Sequence, residues 1–177
     1  MNRRFAAASL CWCLTFHGHV PCSGVVVLQQ TGLKGETHPR RGVIVKVGAI
    51  AYRKTPNGVE VCLVSSLRHK GTLTFPKGNV KEGETLTQAV KRELFEEAGL
   101  RGKIKNKKRP FCTQMSFGKR EPVFYFLFKI TEMVSVWPES KRRKRLFTTI
   151  KGLKKLPLGH APKKAAARAD IAQAARP

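Results

Sequence analysis

Residues 85–97 read as a helix that carries acids where a folded chain wants only apolar side chains. At about 100° per residue, Leu86, Ala89, Val90 and Leu94 form one apolar stripe. Glu93 and Glu97 fall in the middle of that stripe and Glu96 on its flank. Two carboxylates four residues apart on a helix repel by a few tenths of a kcal/mol, roughly. Turning unpaired carboxylates toward an interior costs several kcal/mol, on the order of 3 to 5. A solvated acidic face does not explain the pattern, so a fold built on this helix must set a cation against it. A hard divalent ion is the natural candidate, because Mg²⁺ takes oxygen ligands, keeps several waters and bridges to phosphates.

The rest of the chain makes this cluster stand out. The 177 residues carry a net charge of +24, divided as +3 over residues 1–40, +11 over 41–137 and +10 over 138–177. Five of the eleven acids, Glu82, Glu84, Glu93, Glu96 and Glu97, nevertheless lie within sixteen residues. Such a basic excess implies a polyanionic partner: nucleic acid, anionic lipid or a small polyphosphate. A hydrophobic content of 41% excludes a wholly disordered chain. No apolar run reaches the roughly 18 to 20 residues of a transmembrane segment.

Residues 1–40 read as leader and linker. Arg3 and Arg4, the apolar run Phe5 to Phe16 and the lack of any acid before Glu36 resemble an export signal or targeting peptide; a disordered leader fits as well. Residues 29–41 carry turn formers without periodicity. The five cysteines follow no disulfide framework. Cys62 and Cys112 sit in apolar runs as small hydrophobes, and Cys11, Cys13 and Cys22 with His17 and His19 lack a zinc C-x-x-C pair.

Residues 41–157 read as one domain. Val43 to Tyr52 and Val59 to Ser65 are strand-like runs joined by a turn at Thr55 to Gly58, which predicts a hairpin. Lys77 and Gly78 read as loop. The helix at 85–97 is led by Gly83-Glu84-Thr85 and stopped by Gly99, which suits a left-handed cap. Leu100 to Lys105, Phe111 to Phe117 and Pro122 to Ile130 read as strands, 138–145 as a basic loop, and Phe147 to Leu156 as strand then helix. Residues 158–177 form a basic Ala/Lys-rich tail.

Gly78, five residues, Glu84, seven residues, Arg92-Glu93-Leu94, Phe95, Glu96-Glu97, Ala98 and Gly99-Leu100 match the Nudix box at every defined position. The match covers 23 residues and is specific, with odds by chance on the order of one in ten million. From Gly42 to Pro157 the chain resembles the Nudix hydrolases, in particular the diphosphoinositol polyphosphate phosphohydrolases and diadenosine polyphosphate hydrolases. The resemblance implies an α/β protein with the Nudix fold: an α/β/α sandwich around a mixed β-sheet, with the box as loop–helix–loop. It also implies hydrolysis of a phosphoanhydride with Mg²⁺ or Mn²⁺. The metal ligands would be Glu93, Glu96 and Glu97 with the backbone carbonyl of Lys77. Glu96 would be the catalytic base and Glu93 would share the catalytic role, while Gly78, Glu84, Arg92 and Gly99 would support the box.

Local matching to the same relatives places Lys46, Ser66, Arg68, Lys119, Arg120 and Arg142 at substrate phosphates, where guanidinium forks make bidentate contacts. The expected substrate is a diphosphoinositol or diadenosine polyphosphate. An RNA 5′-end pyrophosphohydrolase, a nucleotide-sanitising pyrophosphatase and a basic RNA-binding protein on an inactive Nudix fold stay open beside it. Nucleic acid would bind through phosphate contacts to the basic tail. The expected compartment is cytoplasmic unless residues 1–24 act as a targeting peptide.

Overall fold

The computed structural model describes residues 28–31, 36–39, 45–105, 111–114 and 122–159. The segments 1–24 and 162–177, and the candidate phosphate ligands Lys119 and Arg120, lie outside these residues. Residues 29–41, expected as linker, contain an antiparallel strand pair, β1 (Leu28–Thr31) and β2 (Glu36–Pro39). Backbone pairing needs no periodic side chains, so composition gave no sign of it.

The second sheet has eight strands. β3 (Lys46–Thr55) and β4 (Gly58–Ser65) form the hairpin expected from the turn, with Thr55 opposite Gly58. Thr55 Oγ1 donates to the Gly58 carbonyl at 2.9 Å, and Gly58 takes φ +112°, a conformation glycine adopts freely. β5 (Leu73–Thr74) pairs with β4, and β6 (Lys77–Asn79) pairs with the start of β3. Lys77 and Gly78 are therefore strand residues and not loop. Their partners Gly48 and Val47 lie about thirty residues upstream, beyond the reach of local composition.

α1 (Leu86–Ala98) leads into β7 (Leu100–Ile104), then β8 (Phe111–Gln114) and β9 (Pro122–Met133). The chain closes with β10 (Arg145–Thr149) and α2 (Ile150–Leu153). The main path of the sheet runs β10-β4-β3-β9-β7, with β8 also on β9. β3 and β9 are parallel and the other described pairings antiparallel, so the sheet is mixed.

β3 is apolar on both faces, as a strand covered on two sides should be. Val45, Val47, Ala49 and Ala51 pack with Cys62, Val64, Phe126 and Phe128 beneath Leu86, Ala89, Val90, Leu94 and Ala98 of α1. On the other face Ile50 and Tyr52 join Val61, Leu63, Phe75, Tyr125 and Leu127, together with Leu153 of α2 and Leu158. Each large side chain buried this way contributes about 1.5 to 3 kcal/mol. Leu158 is buried and bridges Leu73, so the packed fold runs past Pro157. Helices on both faces of a mixed sheet give the α/β/α arrangement.

Candidate active site

The acidic helix is fixed at both ends by its own sequence. At the N-terminus Thr85 Oγ1 accepts from Gln88 N at 3.1 Å and Gln88 Oε1 accepts from Thr85 N at 2.8 Å, a reciprocal cap. At the C-terminus Gly99 takes φ +61° and its N–H returns to the carbonyls of Leu94 and Phe95. A Cβ at Gly99 would meet the Trp137 ring at 2.9 Å, so close packing as well as φ demands glycine there.

Between these caps α1 buries Glu93, 9% exposed, and Glu97, 5% exposed. Arg92 organises the first of them. Its Nε and Nη2 grip the two oxygens of Glu84 at 2.6 and 2.9 Å, while Nη1 donates to Glu93 Oε1 at 2.6 Å and Glu96 Oε2 at 3.0 Å. Nη2 also donates to the Asn79 carbonyl at 3.0 Å, joining the helix to the end of β6. A single planar guanidinium thus holds three carboxylates and one strand, which lysine geometry does not allow.

Arg92 keeps the Glu84 carboxyl below its ordinary value of 4.5, and a bond from the Lys81 N–H adds to the effect. The sign follows directly. Stability from this contact is complete above the ordinary value and is lost as pH falls through the lower folded one. Glu84→Gln should cost roughly 1 kcal/mol at neutral pH. Denaturant unfolding of variant and wild type should converge as the pH drops below about 4.5; a gap that stays constant in acid would contradict the assignment.

Glu97 meets a different set of groups. Its Oε2 accepts from the Lys77 N–H at 3.0 Å, and its Oε1 pairs with Arg143 Nη2. Burial nevertheless pushes the Glu97 carboxyl up to about 7, against the opposing pull of Arg143. Burial also raises Glu93, despite Arg92. The Lys77 ammonium is lowered by burial first, with the charges of Arg143, Lys46 and Arg68 acting in the same direction against Glu97. Lys77 and Arg143 therefore meet Glu97, and the charges of Lys46 and Arg68 reach Lys77.

Of the proposed substrate contacts, Ser66 closes the loop after β4, accepting from the His69 N–H at 3.1 Å. Arg68 and Arg142 are exposed, and Lys46 is half-buried on β3. The base of the 138–145 segment that reaches Glu97 is Arg143, its side chain 10% exposed. Besides Glu97 it holds Glu139 and donates to the Ser65 carbonyl at 2.8 Å. Five consecutive bases, 141–145, offer no local signal of which one faces in. Tyr125 also escaped the sequence reading. Its hydroxyl is buried with no hydrogen-bond partner among the described residues, and burial followed by the Glu97 charge raises its pKa. Its ring occupies the space that a Cβ at Gly48 would fill.

Glu93, Glu96 and Glu97 do not converge on one point; among the described residues no three acidic, His or Cys side chains gather as a ligand group. Arg92 holds Glu93 and Glu96, while Arg143 holds Glu97. The donor chemistry still fits a hard divalent ion: carboxylate oxygens, two of them buried and raised toward neutrality, lie beside the Lys77–Gly78 backbone. The missing side chain of Gly78 makes the room that the Glu93 carboxyl occupies. These residues can hold a cation and surround a phosphate chain with positive charge.

A NUDIX domain model matches residues 44–171, most of the chain and all of this site. The chain belongs to the Nudix family. Among Nudix relatives it is 35% identical over 103 residues to the mitochondrial Nudix hydrolase 12 of Arabidopsis thaliana, covering 54% of this chain and 50% of that one. It is 29% identical over 104 residues to diphosphoinositol polyphosphate phosphohydrolase 2 of Rattus norvegicus, with 59% and 56% covered. The crystal structure of the C. elegans Ap4A hydrolase superimposes with a TM-score of 0.53 at 26% identity, covering 65% of this chain and 86% of that one. The match spans half to two-thirds of the length of the curated Nudix relatives. No helix among the described residues is long and apolar enough to cross a membrane.

Proposed function

We propose that this Nudix protein hydrolyses a phosphoanhydride bond in a small, phosphate-dense substrate, a diphosphoinositol or diadenosine polyphosphate, using Mg²⁺ or Mn²⁺. The observation that carries the reading is the placement of buried Glu93 and Glu97 against Arg92, Arg143 and the Lys77 main chain, with the charges of Lys46 and Arg68 acting on Lys77. Nudix hydrolases as a family use a divalent metal. Glu93, Glu96, Glu97 and the Lys77 carbonyl would hold it, and when bound it neutralises phosphate charge and lowers the pKa of water.

The chain's own groups do the rest. Lys46, Arg68 and Lys77 hold the phosphates, and Arg142 reaches the outer ones from its exposed position in the 138–145 segment. Glu96, with a side chain 37% exposed, has the water access to take a proton at its carboxylate as attack begins. Arg92 Nη1 holds one oxygen of that carboxylate at 3.0 Å, which restricts its orientation. The names of the rat and worm relatives, one acting on diphosphoinositol polyphosphates and one on Ap4A, support the substrate class.

The test is phosphate release by the full chain with Mg²⁺ against a diphosphoinositol polyphosphate, diadenosine tetra- to hexaphosphates, an oxidised nucleoside triphosphate and 5′-triphosphorylated RNA. Preference for the first two is expected. Preference for the nucleoside triphosphate or RNA would overturn the substrate class, and inertness toward all four would overturn the enzyme reading.

A further inference from the structure

The last four carbonyls of an α-helix have no partner within it and must be met from outside. On α1 the carbonyl of Phe95 is met by the cap N–H of Gly99, and residues 134–145 meet the other three together with the carbonyl of Gly99 itself. Glu139 N donates to the Glu96 carbonyl at 3.1 Å, and Trp137 Nε1 to that of Glu97 at 3.1 Å. Arg145 Nη1 donates to Ala98 O at 2.7 Å, and Val134 N to Gly99 O at 3.0 Å. The last turn of α1 has no base of its own. Arg145 supplies one at the negative end of the helix, where a cation is favoured.

The segment is also bound to itself and to the sheet. The Arg145 guanidinium stacks over the Trp137 ring with its carbon 4.6 Å from the centroid, and Nη1 also reaches the Val134 carbonyl at 3.1 Å. Arg143 joins Glu139, Ser65 at the end of β4, and the side chain of Glu97. Ser65 and Lys144 close the junction with bonds in both directions, Ser65 N to Lys144 O at 3.0 Å and Lys144 N to Ser65 Oγ at 3.0 Å.

We infer that residues 134–145 act as a strap that sets the final turn of the acidic helix, with Arg143 and Trp137 as positioning residues for Glu97. Trp137 holds the Glu97 main chain and Arg143 holds its carboxylate oxygen, so both ends of that residue are fixed by one segment. The same segment carries the bases Lys141 to Arg145, which ties them to the geometry of the acids. A helix frayed at its last turn would leave Glu96 and Glu97 without a defined direction. The inference rests on the reading of Glu97 as a metal ligand for its effect on metal, but the strap itself is readable without metal.

Two variants of the full chain test it. Trp137→Phe removes the N–H to Glu97 and keeps an aromatic ring beneath Arg145. Arg143→Lys keeps the charge and loses the fork that reaches Glu97, Glu139 and Ser65 together. Mn²⁺ binding followed by electron paramagnetic resonance should weaken by about tenfold to a hundredfold in each, the usual consequence of removing a group that orients a ligand. With the preferred substrate, kcat should fall in step while KM stays near wild type. The Trp137 indole N–H, assigned by its loss in Trp137→Phe and distinct from Trp12, should exchange with solvent at least tenfold faster in Arg143→Lys.

Unchanged Mn²⁺ affinity in both variants, or a rise in KM alone for Arg143→Lys, would overturn the inference and place Arg143 on substrate. Should Arg143→Lys not fold, the Mn²⁺ affinity of Trp137→Phe decides. Should wild type bind no Mn²⁺, the metal reading fails by itself, and indole exchange decides the strap: an equal rate in wild type and Arg143→Lys overturns it.

Discussion

Glu97→Gln should abolish hydrolysis while leaving a folded protein. Glutamine has the shape of glutamate and still offers an oxygen to the Lys77 N–H. It replaces the oxygen facing Arg143 with an amide of no net charge, and Arg143 retains Glu139 and the Ser65 carbonyl. What disappears is the buried negative charge that a divalent ion would meet. Metal-borne charge stabilisation is worth several kcal/mol at the transition state. Losing about 4 kcal/mol lowers kcat/KM by on the order of a thousandfold, at about 1.4 kcal/mol per factor of ten. Thermal unfolding gives the second readout. Mg²⁺ should raise the wild-type Tm by mass action and leave the variant unmoved. Activity within tenfold of wild type would remove Glu97 from the metal site.

Gly78→Ala should separate activity from stability. The Cβ added at Gly78 would occupy the place of the Glu93 carboxyl group. That carboxyl ends a flexible side chain, so it can swing aside and the fold survives. Its position between Arg92 Nη1 and β6 is lost, however, and displacement of a catalytic group by about 1 Å costs roughly a hundredfold in rate. The expected outcome is kcat reduced by about that factor with unfolding little changed. A collapsed Tm would instead mean that Gly78 is required by the β3–β6 pairing.

Part of this site was legible because it is local. The periodicity of residues 85–97 puts Glu93 and Glu97 inward, since helix geometry depends on residues three and four apart. Thr85 and Gln88, and Gly99 thirteen residues after Leu86, mark the ends of α1 for the same reason. The resemblance to the Nudix box made Glu84 and Arg92 its expected supports, and the structure joins them through two bonds. The strand-forming runs were likewise readable, although β9 extends three residues past Ile130 to Met133.

The remainder depends on partners far away in the chain. Lys77 and Gly78 look like loop beside Pro76, and become strand because β3 offers its first residues to them. The alternation of Phe124, Tyr125 and Phe126 separates two faces of β9, but not which face meets the space left by Gly48. Within the basic run 141–145 every residue has the same charge, and Arg142 and Arg143 are indistinguishable by composition. Lys144 pairs with Ser65, and that register turns Arg143 into the site and leaves Arg142 in solvent. By itself the sequence determined the box helix, its caps and the inward aim of its acids, because these follow from spacing along one segment. Which cation meets Glu97 was decided only by the tertiary structure, because cross-strand register joins segments nearly eighty residues apart and no local pattern encodes it.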